Sequence, residues 1–192
     1  MSAYQVYLWI DHKPKVIPYG GDGGLRPDGH ANYGFTNLKG NPHLLDTIPE
    51  LTSDPSLKSL VEAINAEETG LFSVGCSSGE VREQNGYRYT GYIEFVFNAQ
   101  SFVGEVQNYF PLFLHFDRLL FERRFSQSVR FGWEIQPARF LDANIGGFTC
   151  SVFVDTALSL SGEEAAKAWS AALEILKEFL GSIPKQSGDS IY

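Results

Sequence analysis

Histidine and aspartate residues near the amino terminus are the side chains whose chemistry could serve a metal ion or a hydrolytic reaction. Four of them lie within or beside a stretch rich in glycine and proline: His12, Asp28, His30 and His43. Imidazole and carboxylate groups are ligands that zinc takes in proteins. No pair among them has the compact spacing of an HxH or HExxH motif. They support one alternative hypothesis, that the protein is a hydrolase that uses these His and Asp residues. In one version of this hypothesis the residues bind a metal ion. The sequence does not assign the catalytic residues.

A second set of side chains alternates along predicted strands and could form a binding surface. It consists of Tyr7, Trp9, Arg88, Tyr92, Glu94, Arg130 and Glu134. Successive residues of a strand point to opposite faces, and the residues that alternate with these seven along the strands are apolar. We therefore expect all seven on the sheet face away from the helices. Aromatic rings beside arginines favour a ligand-binding surface there; the alternative is a solvated face with cross-strand Arg–Glu pairs.

The segment RYTGYIEF, Arg88–Phe95, partly resembles the signature of RNA-recognition motif domains. The matching residues are Arg88, Gly91, Tyr92, Ile93 and Phe95. Tyr89 stands where the signature has glycine, and Thr90 replaces one of its aromatic residues. The resemblance implies RNA or nucleotide binding on the sheet face, which is our third hypothesis. The glycine run at 19–24 lacks the Lys-Ser/Thr pair of a phosphate loop, so we expect no cofactor.

Alternation, caps and turn signals predict the elements that would position these residues. The predicted strands cover 4–10, 71–76, 87–98, 128–136 and 147–156, and the predicted helices cover 54–70, 101–124 and 161–181. Pro111 lies in the middle of the second helix, so we expect a kink or two abutting helices near Tyr109–Pro111. Residues 13–49 are rich in glycine and proline, which predicts a long irregular excursion.

This element order predicts an α+β fold, an antiparallel β-sheet with helices on one face. Without the excursion, the first six elements follow the order βαββαβ of a ferredoxin-like sandwich, with an appended strand and helix. A competing arrangement takes residues 71–124 and 128–181 as two strand-strand-helix units. In both arrangements we expect residues 1–183 to form a single domain and 184–192 to form a flexible tail.

The charge balance narrows the classes of partner. Acidic side chains outnumber basic ones by 23 to 15 in 192 residues, which gives a formal net charge of −8. This charge favours a basic partner and opposes binding to nucleic acids or anionic membranes. Cys76 and Cys150 are too few for a disulfide framework and predict reduced thiols. The chain shows no signal peptide and no apolar run of roughly 20 residues, so we expect a soluble, cytoplasmic protein.

The predicted helix 101–124 carries apolar residues around more of its circumference than one sheet can cover. The C-terminal helix, the excursion or a second copy of the chain could cover the remainder. A homodimer through this helix is one expected outcome, because large exposed apolar patches are rare on monomers. For function, we favour a non-enzymatic intracellular binding protein, such as an inhibitor or immunity-type protein. It would recognise another protein through the exposed sheet face and the 13–49 loop.

Overall fold

The computed structural model describes residues 4–21 and 34–192. Its strands are β1 (Tyr4–Ile10), β2 (Lys15–Ile17), β3 (Leu71–Glu83), β4 (Gly86–Phe97), β5 (Val129–Phe140) and β6 (Ile145–Thr156). Its α-helices are α1 (Pro49–Ser53), α2 (Pro55–Asn65), α3 (Gln100–Val103), α4 (Phe110–Phe121) and α5 (Gly162–Gly181), with 3-10 turns at Pro42–Thr47 and Val106–Asn108. None of the helices in these ranges has the length and apolar character needed to cross a membrane.

All six strands belong to one sheet. Strands β1 and β2 both pair with β5 in parallel, and the order continues from β5 through β6 and β4 to β3 by antiparallel pairs. The predicted α+β class is confirmed, and the sheet, which we expected to be antiparallel, is mostly antiparallel, with β1 and β2 parallel to β5. Two strands are longer than predicted: β3 continues to Glu83 instead of ending at 76, and β5 continues to Phe140 instead of ending at 136.

The strand order follows the arrangement with two strand-strand-helix units. Strands β1 and β3, which flank the first helices, lie at opposite edges of the sheet. A ferredoxin-like βαββαβ core is instead built from split βαβ units, in which the two parallel strands are separated by a single strand of the other unit. Here the hairpins β3–β4 and β5–β6 lie side by side and join through β4 and β6. The first hairpin is followed by α3, a 3-10 turn and α4, and the second by α5.

The hydrophobic core lies between the sheet and helices α2, α4 and α5. The inward residues of the three central strands are buried: Ile93, Phe95, Phe131, Trp133, Ile135, Cys150, Val152 and Val154. The Trp133 ring lies 5.4 Å from the Phe116 ring of α4 and 6.1 Å from the Phe95 ring, measured between centroids. Aromatic pairs at such distances contribute about 0.5–1.5 kcal/mol beyond the area they bury.

One buried carboxylate, that of Asp54, joins three elements. Its Oδ1 caps α2 by accepting hydrogen bonds from the backbone N–H groups of Ser56 and Leu57, both at 3.0 Å. Its Oδ2 accepts hydrogen bonds from Ser78 Oγ on β3 and from Trp169 Nε1 on α5, both at 2.7 Å. The predicted helix start is confirmed, and the same side chain fixes α2 against the sheet and α5.

The predicted helix 101–124 is interrupted, as expected. Helix α3 is a single turn, a 3-10 turn follows, and α4 begins one residue before Pro111. Proline is tolerated in the first turn because the N–H that it lacks has no intrahelical partner there. The core-facing residues of α4 are Leu112, Phe116 and Leu120.

The described parts of the segment 13–49, residues 13–21 and 34–49, pack against the rest of the fold. They contain β2 and a 3-10 turn, and Ile17, Leu38 and Leu45 are buried. The Lys39 ammonium donates hydrogen bonds to three backbone carbonyl oxygens and one hydroxyl oxygen of residues 66–71, at 2.6 to 2.9 Å. The described parts of this segment therefore hold the fold together as well as forming surface.

The carboxyl-terminal segment 184–192, which we expected to be a flexible tail, also contacts the sheet. The Tyr192 ring lies 5.1 Å from the Phe72 ring, and the side-chain oxygen of Asn98 accepts hydrogen bonds from the backbone N–H groups of Ile191 and Tyr192, both at 3.1 Å. Phe72 pairs with Val96. Val96 lies two residues after Glu94 on β4, so its side chain points to the same face of the sheet, the one opposite the helices. The segment therefore covers one end of the face opposite the helices.

Candidate binding face

Four aromatic side chains form a row across the sheet face opposite the helices. The distance between ring centroids is 5.4 Å for Tyr7 and Trp9, 5.7 Å for Trp9 and Phe153, and 5.6 Å for Phe153 and Tyr92. These four residues, called the aromatic row below, span the sheet from the edge strand β1 to β4. They form a continuous platform of aromatic rings on this face.

The strand register explains how the row forms. Tyr7 pairs with Gly132, Gly132 with Phe153, and Phe153 with Tyr92, and residues paired in this way share a face. Gly132 has no side chain, and the Tyr7 and Trp9 rings occupy the space above it. A Cβ atom at this position would lie 2.9 Å from the Tyr7 ring and 3.0 Å from the Trp9 ring. Glycine is therefore needed for both rings to lie over β5.

A polar cluster borders the aromatic row on one side. The Asp155 carboxylate accepts a hydrogen bond from Thr90 Oγ1 at 2.6 Å and one from the Arg88 guanidinium at 3.5 Å. Arg130 is exposed, and its Nε donates to Gln5 Oε1 at 3.4 Å. Among the residues that the structure describes, Arg130 forms no ion pair, so its guanidinium is available to a ligand.

Two carboxylates border the row on the other side. Glu134 Oε1 accepts a hydrogen bond from Trp9 Nε1 at 2.8 Å. Glu94 is only 6% exposed and forms an ion pair with Lys15 of β2. Both glutamates pair with Ser151 of β6, so their backbones lie about 10 Å apart. Each carboxylate is thus held by a donor that belongs to the same face.

A groove opens where residues 13–20 meet this face. Its volume is about 660 Å³, and its lining includes Lys13, Lys15, Tyr19, Tyr92, Glu94 and Gln136. The Tyr19 hydroxyl donates to the carbonyl oxygen of Val74 at 3.0 Å and holds one wall of the groove against β3. The volume falls within the range of about 300–1,000 Å³ that is usual for ligand pockets.

All seven residues that the sequence indicated as a binding set lie on this face. The predicted strand register is confirmed, since Arg130 is exposed and Tyr92 partly exposed while Phe95 and Trp133 are buried. Arg88, Glu94 and Glu134 are in internal hydrogen bonds or ion pairs, whereas Arg130 has no carboxylate partner in the described residues.

Sequence reasoning missed three contributors to the face: Phe153, Lys15 and Tyr19. A signal for Phe153 was present, because its neighbours Val152 and Val154 have the core-facing parity of β6. No local pattern could have indicated Lys15 or Tyr19, since their positions depend on the path of the 13–49 segment across the sheet.

The residues of the metal hypothesis do not form a cluster in the described part of the chain. His12 and His43 are exposed, and Asp28 and His30 lie outside the described residues. No group of three His, Cys, Asp or Glu side chains within residues 4–21 and 34–192 could hold a metal ion. Both cysteines are free thiols, and burial raises the pKa of Cys76 to about 12.

No protein-family model, curated protein or solved structure matches this chain.

Proposed function

We propose that this protein is a non-enzymatic binding protein that recognises another protein through the aromatic row and the adjoining groove. The aromatic row is the observation that carries the proposal. Within residues 4–21 and 34–192 no helix covers the face on which it lies, and Tyr7 at its outer end is 41% exposed. The few residues that supply most of the binding energy at protein interfaces are enriched in tyrosine, tryptophan and arginine. The row combines Tyr7, Trp9 and Tyr92 with the neighbouring Arg130.

The charges of this face favour a protein ligand over a nucleic acid. Lys15 and Arg88 already form ion pairs with carboxylates of the face, so they offer little net charge to phosphate groups. The formal net charge of −8 also opposes binding to RNA. A partner with balanced polar groups could cover the row without leaving an unpaired charge buried. At longer range, the net charge would speed the approach of a basic protein.

The form of the site fits an inhibitor or immunity-type protein. The sheet provides a rigid platform, and the groove beside it provides one concave feature that can take a projecting side chain. Rigid platforms with an aromatic centre lose little conformational freedom on binding. An intracellular partner, such as an enzyme to be held inactive, would match this arrangement.

Photo-crosslinking with benzoylphenylalanine tests the proposal. The photoreactive residue is placed at Phe153, in the middle of the aromatic row, and at Leu160 as the control. Leu160 is 88% exposed but lies in the loop between β6 and α5. We expect irradiation in native extract to give a defined protein adduct at position 153 and none at position 160. Excess unlabelled protein should suppress the adduct, whereas excess Trp9→Ala variant should not.

Two results would argue against the proposal. Equal labelling at positions 153 and 160 would mean that the face has no preferred protein ligand. An adduct that the Trp9→Ala variant suppresses as well as the unlabelled wild-type protein would mean that the aromatic row contributes nothing to recognition.

A further inference from the structure

The outer edge of β1 is an unpaired strand edge. The backbone N–H of Asp11 donates to the Ile135 carbonyl at 2.9 Å, so Asp11 points its backbone groups toward β5. These groups alternate along a strand. Those of Gln5, Tyr7 and Trp9 therefore also point toward β5, and those at positions 4, 6, 8 and 10 point outward. Among residues 4–21 and 34–192, no strand pairs with this outer edge.

In the part of the chain that the structure describes, this edge lacks the features that usually protect a sheet edge. The sequence YQVYLWI contains no charged residue and no proline, and β1 pairs with β5 without a bulge. Natural edge strands avoid pairing with other chains through lysines, prolines, bulges or a covering element. A seven-residue uncharged edge without these features is a template for another strand.

The strand is complementary to itself. In an antiparallel pair of two β1 strands centred on Tyr7, Val6 lies opposite Leu8 of the second copy, and Tyr4 lies opposite Ile10. These are the residues whose backbone groups point outward, so about eight backbone hydrogen bonds could form between the copies. Tyr7 would lie opposite Tyr7 of the second copy in a non-hydrogen-bonded pair. No like charges would meet along the strand.

Helix α4 adds exposed apolar surface at the same edge. Helix α4 contacts β1. Burial, together with the Asp117 carboxylate, raises the pKa of the Tyr4 hydroxyl, so Asp117 lies on the side of α4 near this strand. Leu114 and Phe121 lie three residues before and four residues after Asp117, so they share its side of the helix. They are 62% and 83% exposed.

We propose that two copies of this chain associate through antiparallel pairing of their β1 strands about a two-fold axis at Tyr7. The two five-strand paths would join into one continuous sheet, with both α4 helices on the same side. Leu114 and Phe121 of each copy would then face the other copy across the axis. The two aromatic rows would meet at Tyr7 and form one platform to which each copy contributes. This inference does not depend on the proposed protein partner.

Proline substitution at Val6 tests the pairing. The Val6 N–H points outward, so Val6→Pro removes a hydrogen-bond donor from the free edge and none from the β1–β5 ladder. The control Val6→Ala shortens the side chain but keeps the N–H. In sedimentation equilibrium we expect the wild type and Val6→Ala to have twice the 21.4 kDa chain mass at micromolar concentration, and Val6→Pro to have the mass of one chain. A single-chain mass for the wild type, unchanged on concentration, would overturn the proposal.

Disulfide trapping tests the register and needs no disruptive variant. Non-hydrogen-bonded antiparallel pairs bring their Cα atoms to about 4.5 Å, which a disulfide can bridge. With oxidised glutathione, Tyr7→Cys should give a covalent dimer. Trp9→Cys should not, because position 9 lies opposite position 5 of the second copy. Equal dimer yields from both variants, or none from Tyr7→Cys, would overturn the pairing.

Discussion

Replacing Asp54 by alanine should destabilise this protein strongly, because its buried carboxylate joins α2, β3 and α5. The substitution removes the N-cap of α2 and the common acceptor of Ser78 and Trp169. Loss of an N-cap costs about 1 kcal/mol. The Trp169 indole N–H would remain buried without an acceptor, which costs about 1–3 kcal/mol. The Ser78 hydroxyl can rotate to another acceptor and adds little. We expect a total loss of about 3 kcal/mol.

Urea unfolding followed by circular dichroism measures this loss, with the midpoint and the slope fitted separately. For a chain of this size, a loss of about 3 kcal/mol corresponds to a fall of about 9 °C in Tm. Asp46→Ala is the matched control. Asp46 forms an ion pair with Lys58, but its side chain is largely exposed, so its removal should cost about 0.5 kcal/mol or less.

A double-mutant cycle separates the cost of leaving the Trp169 indole N–H without an acceptor from the cost of losing the N-cap of α2. Trp169→Phe removes the N–H but keeps an aromatic ring, so Asp54→Ala should cost less in that background, by about 1–2 kcal/mol. Additive losses would show that the indole finds another partner and that the buried hydrogen bond does not stabilise the fold. A loss below 1 kcal/mol for Asp54→Ala alone would refute the reasoning as a whole.

Three further predictions concern other parts of the molecule. Burial raises the pKa of Cys76 from 9.0 to about 12, so at pH 8 its thiolate fraction is on the order of 1,000-fold below that of the unfolded chain. Ellman's reagent should therefore label Cys76 at the rate of an ordinary thiol only after unfolding, and rapid labelling of Cys76 in the folded protein would contradict this. Lys39→Met should destabilise the fold by about 2 kcal/mol in urea unfolding, because it leaves several backbone carbonyls without their donor; an unchanged midpoint would show that water replaces the ammonium. Gly132→Ala should displace the Tyr7 and Trp9 rings and shift the NMR signals of the aromatic row, with the signals of the helical core unchanged.

The fold class was predictable because hydrophobic periodicity is a local property. The alternation in β1, β4 and β5 correctly assigned each residue to a sheet face, and Asp54 and Ser161 correctly marked the starts of α2 and α5. The break at Pro111 followed from its missing backbone donor. Strand order was not predictable in the same way, since it depends on contacts between hairpins that are distant in sequence.

The candidate site was predictable only where it lies on regular strands. Tyr7, Trp9 and Tyr92 follow from strand parity, but the groove depends on how the 13–49 segment crosses the sheet. The short strand β2 gives no signal, because three residues are too few to show a period. Its pairing with β5 brings Lys15 to Glu94, and only the three-dimensional structure reveals that pair.

The central claim is that the aromatic row binds a protein partner, and the affinity change in a Trp9 variant tests it most directly. The partner captured by crosslinking is purified, and isothermal titration calorimetry compares the wild type with Trp9→Ala and Leu160→Ala. Hot-spot aromatic residues typically contribute 2 kcal/mol or more, so Trp9→Ala should weaken binding by about 30-fold or more. Leu160→Ala should bind as the wild type does. Equal affinities for all three proteins would contradict the claim.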